Sequence, residues 1–271
     1  METKRIVIKV GTSTLTHDTG KLNLRRMDRL ARVLADLRGA GYEIVLVSSG
    51  AIAAGVDKLG LNSRPEELRM KQAAAAVGQC EIMHIYDKLF SEYNCTTGQI
   101  LLTEGDVSDP RRTEHLKSTV STLLSMGVVP IVNENDSVAS DEIETGYEKV
   151  LGDNDTLSAV VAVLIEADLL ILLTDIDGLY DDDPRQNPEA KLVHRVEVLT
   201  DDLRKAAGGA GSWRGTGGMA TKLNAAEIST KANCEMVIAN ANRVEVIYDI
   251  LEGKVTEHAL FTWMITHLSR D

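Results

Sequence analysis

Val128-Val129-Pro130-Ile131-Val132-Asn133-Glu134-Asn135-Asp136 changes character abruptly: an apolar run suited to a buried strand, Val128 to Val132, stops at a cluster of amides and carboxylates. After an acidic excursion the theme returns, with Gly152-Asp153-Asn154-Asp155 standing just before an apolar-periodic stretch, Leu157 to Ile165, that predicts a helix. Asp and Asn at such a boundary satisfy the free N–H groups of the first helical turn. Either cluster alone is ordinary strand-end or cap chemistry. Together they flank one strand-to-helix crossover, and in open α/β sheets ligands sit beyond the carboxyl ends of the strands. Acceptors this dense would suit an ammonium group.

Outward from that stretch, buried strands are predicted at Arg5–Val10, Glu43–Val47, Gln99–Leu102, Leu169–Leu173 and Val237–Ala239. Helices are predicted between them. One runs from Leu24 to Leu37, capped by Asn23 and stopped by Gly39 and Gly41. A small-residue helix, Ala51 to Ala54, follows Ser48-Ser49-Gly50. A long stretch reaching Tyr93 is introduced by Ser63-Arg64-Pro65-Glu66, which has the form of a capping box. Further helices start near Glu114 and Val244, and a last apolar segment covers Ala259 to Trp263. This alternation predicts one α/β domain over residues 1–271, a mainly parallel sheet with helices on both faces.

The 271 residues carry 29 basic and 41 acidic side chains, a net charge of −12. That balance argues against nucleic acid or an anionic membrane as partner, while leaving room for anionic substrates at local positive fields. Cys80, Cys95 and Cys234 lack Cys-x-x-Cys spacing and are expected to be reduced, buried thiols. With no signal peptide and no apolar run of spanning length, a soluble cytoplasmic protein is expected.

Several pieces are suited to phosphate chemistry. Gly208 to Lys222 is a glycine-rich loop opening a helix, Met219 to Lys231, where backbone N–H groups can approach phosphates closely. Its formal match to a dinucleotide fingerprint fails because no strand precedes it, and no P-loop occurs. Lys9 lies near the end of the first strand, beside Gly11-Thr12-Ser13. Ser49-Gly50-Ala51 lies at a strand-to-helix transition, and Thr174-Asp175 ends a strand where a nucleotide's base or ribose can rest. Asp181-Asp182-Asp183-Pro184 is expected to be a solvated turn rather than a metal site. The histidines show no metal spacing and GxSxG is missing, which gives a histidine-based hydrolase little support. Phosphoryl transfer to a carboxylate fits better: the nucleophile is already ionised at neutral pH and needs no general base.

Taken in order, Lys9-Val-Gly-Thr-Ser, Val47-Ser-Ser-Gly-Ala-Ile-Ala-Ala-Gly55, Val132-Asn-Glu-Asn-Asp136, Gly152-Asp-Asn-Asp155, Leu173-Thr-Asp175 and Gly215-Thr-Gly-Gly-Met-Ala-Thr-Lys222 resemble the amino-acid kinase family, and within it the glutamate 5-kinase (γ-glutamyl kinase) group. The resemblance covers essentially the whole chain. It implies a three-layer α/β/α sandwich and ATP-dependent phosphorylation of glutamate's side-chain carboxylate, the first step of proline synthesis, with Mg²⁺ bound through the nucleotide phosphates. By the same resemblance Lys9 and Lys222 stabilise the transferring phosphoryl group and Asp155 orients them. Ser49, Gly50, Ala51, Asn133, Asp136 and Asn154 match glutamate-binding positions. Thr174, Asp175 and the run Thr216, Gly217, Gly218, Met219, Ala220, Thr221, Lys222 match nucleotide-binding segments, which Lys9 joins. A homo-oligomer and feedback by proline are also expected. Many members add a C-terminal PUA domain; here the kinase domain is expected without one, and the excursion between Asp136 and Gly152 is long. The competing readings are a kinase for another small acid, such as N-acetylglutamate or aspartate, and a non-catalytic amino-acid sensor. Asp136 favours a substrate with a free amine, and the two lysines with Asp155 favour catalysis over sensing.

Overall fold

All six residues of the strand Leu169–Thr174 are buried, as a strand must be when helices cover both faces of its sheet. The computed structural model describes residues 4–138, 153–182, 187–200, 203–204, 218–254 and 258–262. Within them eight strands form one sheet: β1 (Arg5–Val10), β2 (Glu43–Ser48), β3 (Thr97–Leu102), β4 (Val129–Glu134), β5 (Leu169–Thr174), β6 (Arg195–Val196), β7 (Glu235–Asn240) and β8 (His258–Phe261). Their order is β3-β4-β2-β1-β5-β7-β8-β6, and all neighbours are parallel except β7 and β8. The described helices are α1 (Thr12–Leu15), α2 (Leu24–Gly39), α3 (Ala51–Lys58), α4 (Leu68–Ser91), α5 (Glu104–Ser108), α6 (Pro110–Ser125), α7 (Asn154–Leu164), α8 (Met219–Lys231) and α9 (Val246–Leu251). The expected mainly parallel, three-layer α/β/α arrangement is therefore the one found.

Side chains alternate across the sheet and sort into two apolar layers. Ile6, Ile8, Val10, Ile44, Leu46 and Ile131 pack against α2, α4 and α9. Val7, Val45, Val47, Leu170 and Leu172 pack against α7, α8 and the Val120/Leu124 edge of α6. The same two-residue period assigns the polar strand residues. Lys9 shares the α7/α8 face with Val7, whereas Ser48 and Asn133 share the α4 face with Leu46 and Ile131. Two chemistries thus approach one sheet edge from opposite faces.

Several local expectations need correction. Ser63–Glu66 does not cap a helix: α4 begins at Leu68, preceded by Glu67 in extended conformation (φ −73°, ψ 131°). The reciprocal pattern occurs instead at Thr103, whose backbone N–H and hydroxyl both donate to Asp106 Oδ2, at 2.8 and 2.6 Å. Helix α6 begins at Pro110, earlier than Glu114, because Asp109 accepts the N–H groups of Arg111 and Arg112 at 2.9 and 3.0 Å. Helix α9 starts at Val246 rather than Val244. Cys95 and Cys234 are buried, but Cys80 is exposed on α4. Among the described residues no helix is long and apolar enough to cross a membrane.

One packing detail positions the site. Helices α3 and α4 cross with backbone against backbone at two glycines. A Cβ on Gly55 would lie 1.8 Å from the Ala74 carbonyl oxygen, and one on Gly78 would lie 1.8 Å from that of Ala51. No other residue fits at either position without moving a helix. The crossing fixes the start of α3, where Gly50 adopts a left-handed conformation (φ 97°) that lets β2 turn directly into the helix.

Candidate active site

The carboxyl ends of β2, β1 and β5 open onto a cleft of about 750 Å³. From β1 the chain moves to β2 on one side, and from β5 to β7 on the other, so the crevice between β1 and β5 is the switch point at which open α/β sheets bind ligands. Lys9, Ser49, Gly50, Ala51, Asn133, Asp136, Asn154, Asp155, Thr174, Asp175 and Lys222 all line this cleft. Gly218 precedes α8, and Met219, Ala220 and Thr221 form its first turn with Lys222. Thr216 and Gly217 lie outside the described residues, as does most of the 137–151 excursion.

One half of the cleft is built on charge. Asp153 caps α7, accepting the N–H groups of Asp155 and Thr156 at 2.7 and 3.0 Å. The cap sets Asp155 in the first turn, where the helix dipole favours an anion. The Asp155 side chain is fully buried between two lysines from different elements. Lys9 Nζ of β1 lies 2.5 Å from Oδ1, and Lys222 Nζ of α8 lies 3.1 Å from Oδ2. The Lys222 contact is also a hydrogen bond, whereas Oδ1 accepts no aligned hydrogen bond and is held to Lys9 by charge. The Thr221 hydroxyl, 2.9 Å from Oδ2, completes the cluster. Burial pushes the Asp155 pKa up, but the charges and contacts of Lys9 and Lys222 outweigh it and hold the carboxyl below its ordinary range. The carboxylate is ionised at neutral pH, and the two lysines that hold it both line the cleft.

The other half is built on amides. Asn154 Nδ2 lies 2.6 Å from Ser49 Oγ, 3.1 Å from Asn133 Oδ1 and 3.4 Å from the Ser48 carbonyl oxygen. Asn133 Nδ2 in turn donates to Gln79 Oε1 of α4 at 2.9 Å. Beneath them the Ser48 hydroxyl meets the Tyr86 hydroxyl at 3.1 Å, and burial pushes the Tyr86 pKa up. At the far end, the Thr174 hydroxyl donates to Asp175 Oδ1 at 3.1 Å as β5 ends. Asp181 and Asp182 are exposed and take part in turn contacts, accepting from the Lys191 N–H and the Asn187 side chain.

Each described residue expected at the site is in this cleft or in the first turn of α8 at its edge. Two features were not anticipated. Thr221, expected on the nucleotide alone, also touches Asp155. Gln79 was not singled out, although its signal is legible: it is the lone strongly polar side chain in the buried stripe Ala75, Gln79, Ile82, Tyr86 of α4.

A buried carboxylate clamped by two lysines at the switch point of this sheet suits a site for anionic groups such as phosphates, and sequence comparison gives the class: residues 4–240 match the amino acid kinase family, to which the chain belongs. It is similar to glutamate 5-kinase of Clostridium perfringens, 51% identical over 253 residues that cover 93% of each chain. Glutamate 5-kinase of Clostridium tetani is 53% identical over 93% of this chain and 92% of its own. That of Caldanaerobacter subterraneus is also 53% identical, with 66% of its longer chain covered. Among solved structures, carbamate kinase from Giardia lamblia bound to AMP-PNP superposes with a TM-score of 0.68 at 16% identity, covering 97% of this chain and 99% of that one. UMP kinase from Ureaplasma parvum superposes at 0.64, also at 16% identity, over 97% of this chain and all of that one. At these identities the two structures speak for the fold alone.

Proposed function

We propose that this chain transfers the γ-phosphoryl group of ATP to the side-chain carboxylate of L-glutamate, giving L-glutamyl 5-phosphate as the first step of proline synthesis. The carrying observation is the Lys9–Asp155–Lys222 clamp, set where the amide wall meets the end of β5, in a chain half identical to glutamate 5-kinases over nearly its whole length. The substrate carboxylate is ionised at neutral pH, so the transfer needs positioning and charge neutralisation rather than a base.

In this reading Lys9 and Lys222 neutralise charge on the transferring phosphoryl group, and Asp155 holds both ammonium groups at a fixed separation. Ser49, Gly50, Ala51, Asn133, Asp136 and Asn154 hold glutamate, with Asp136 opposite its ammonium. Thr174, Asp175 and Thr216 to Lys222 hold ATP, whose phosphates gain from the first-turn N–H groups of α8. Both oxygens of Asp155 face lysines, so that carboxylate is not turned toward a Mg²⁺ ion; the ion belongs with the nucleotide phosphates. A single domain over the whole chain, a cytoplasmic location, self-association and response to proline belong to the same reading. ADP release measured across glutamate, aspartate and N-acetylglutamate tests it. Glutamate should be strongly preferred, and a preference for N-acetylglutamate, or no turnover with any acid, would overturn the assignment.

A further inference from the structure

The amide wall is a chain with a direction. The Ser48 carbonyl oxygen can only accept a hydrogen bond, so the end of the Asn154 amide facing it, at 3.4 Å, must be Nδ2. The Asn154 amide shares its two hydrogens among Ser48, Ser49 and Asn133, and Oδ1 makes no hydrogen bond among the described residues. Asn133 must then present Oδ1 to Asn154 and turn its own Nδ2 away, toward α4. What receives that Nδ2 is Gln79 Oε1, at 2.9 Å, from a side chain only 9% exposed.

We propose that Gln79 is a positioning residue for the substrate. With the Ser48 carbonyl at one end and the Gln79 acceptor at the other, the Asn154 and Asn133 amides are held from both sides, and the wall is left with one defined pattern: the Asn154 carbonyl oxygen as acceptor and the Ser49 hydroxyl hydrogen as donor. An acceptor beside a donor complements the ammonium and carboxylate of an amino acid. The reversed pattern would set an N–H donor against the ammonium. Gln79 touches none of the reacting atoms. Its effect passes through two amides, and the inference rests on the glutamate-binding reading given above.

The test compares Gln79→Met, which keeps the shape and removes the acceptor, with Gln79→Glu, which keeps an acceptor in place whether ionised or protonated. In Gln79→Met the KM for glutamate should rise about tenfold or more, the scale of hydrogen bonds to a charged group. Its KM for ATP and its kcat at saturating glutamate should stay near the parent values, while the buried Asn133 donor left without its acceptor should lower the melting temperature by about 2–10 °C. Gln79→Glu should bring the glutamate KM back to within about threefold of the parent, since the acceptor is what matters. A Gln79→Met enzyme with parental glutamate KM, or one whose ATP and glutamate constants rise together, overturns the proposal. If Gln79→Met does not fold, Gln79→Glu decides alone: a large rise in glutamate KM with ATP KM intact would contradict the acceptor role. Absence of glutamate turnover in the parent enzyme is a different failure and strikes the function itself.

Discussion

Replacing Asp155 by Asn changes one atom and removes the charge that two lysines share. The Lys9 and Lys222 side chains are 10% and 7% exposed and the carboxylate is not exposed at all, so water cannot take over its role. Contacts of 2.5 and 3.1 Å put this cluster in the regime of buried ion pairs rather than surface ones. An amide makes matters worse, because its NH₂ must face one ammonium or the other whichever way it turns. Removing one partner from a buried cluster costs about 3–5 kcal/mol, which for a domain of this size is a fall in Tm of about 6–20 °C. Catalysis should suffer independently, with kcat down on the order of a hundredfold or more, since two charges aimed at the phosphoryl group lose their anchor. Thermal melting with and without ATP reads the first effect, and steady-state ADP release below the melting range reads the second. An Asp155→Asn protein with parental kcat and a Tm within about 2 °C would refute the clamp as both a structural and a catalytic unit.

Four further outcomes follow from the same geometry. Lys222→Ala should lose about a hundredfold or more in kcat while its glutamate KM changes little, because the ammonium acts on charge that develops in transfer; steady-state kinetics decide. Gly78→Ala should destabilise by about 1–3 kcal/mol or more and raise the glutamate KM, since the new Cβ would lie 1.8 Å from the Ala51 carbonyl oxygen and displace α3. Gly39→Ala, with nothing within 4 Å, should be near neutral in the same melts. Because Asp155 titrates below its ordinary range when folded, its stabilisation is complete above the unfolded value of about 3.9 and is lost as pH falls through the folded one. Denaturant midpoints between pH 5 and 3 should therefore fall more steeply for the parent than for Asp155→Asn.

The strands were legible because their burial leaves little choice of residue: β1, β2, β4, β5 and β7 each hold an apolar run of three or more residues. Where polar contacts rather than apolar period set a boundary, the sequence was less informative. Asp109 and Pro110 start α6 a full turn before its apolar face begins, and Ser63-x-x-Glu66 has a capping pattern but no helix to cap. β6 has only Arg195 and Val196 and no run to detect. The site followed the same division. Asp155, Lys9 and Lys222 stood out as charges at strand and helix ends, and only the family resemblance implied that one carboxylate serves both lysines; physically that comes from the alternation on β1 and the α7/α8 packing. Gln79 was hidden inside an alanine-rich helix, where its role depends on Asn133 meeting it from the end of β4.

The central claim is that the nucleophile is the side-chain carboxylate of glutamate, held by a pocket that reads the free amine. Its product is an acyl phosphate, which a strong external nucleophile intercepts. Incubation with ATP, Mg²⁺, hydroxylamine and L-glutamate should yield γ-glutamyl hydroxamate, and N-acetylglutamate under the same conditions should yield little. No hydroxamate from glutamate, or equal yields from both acids, would contradict the account.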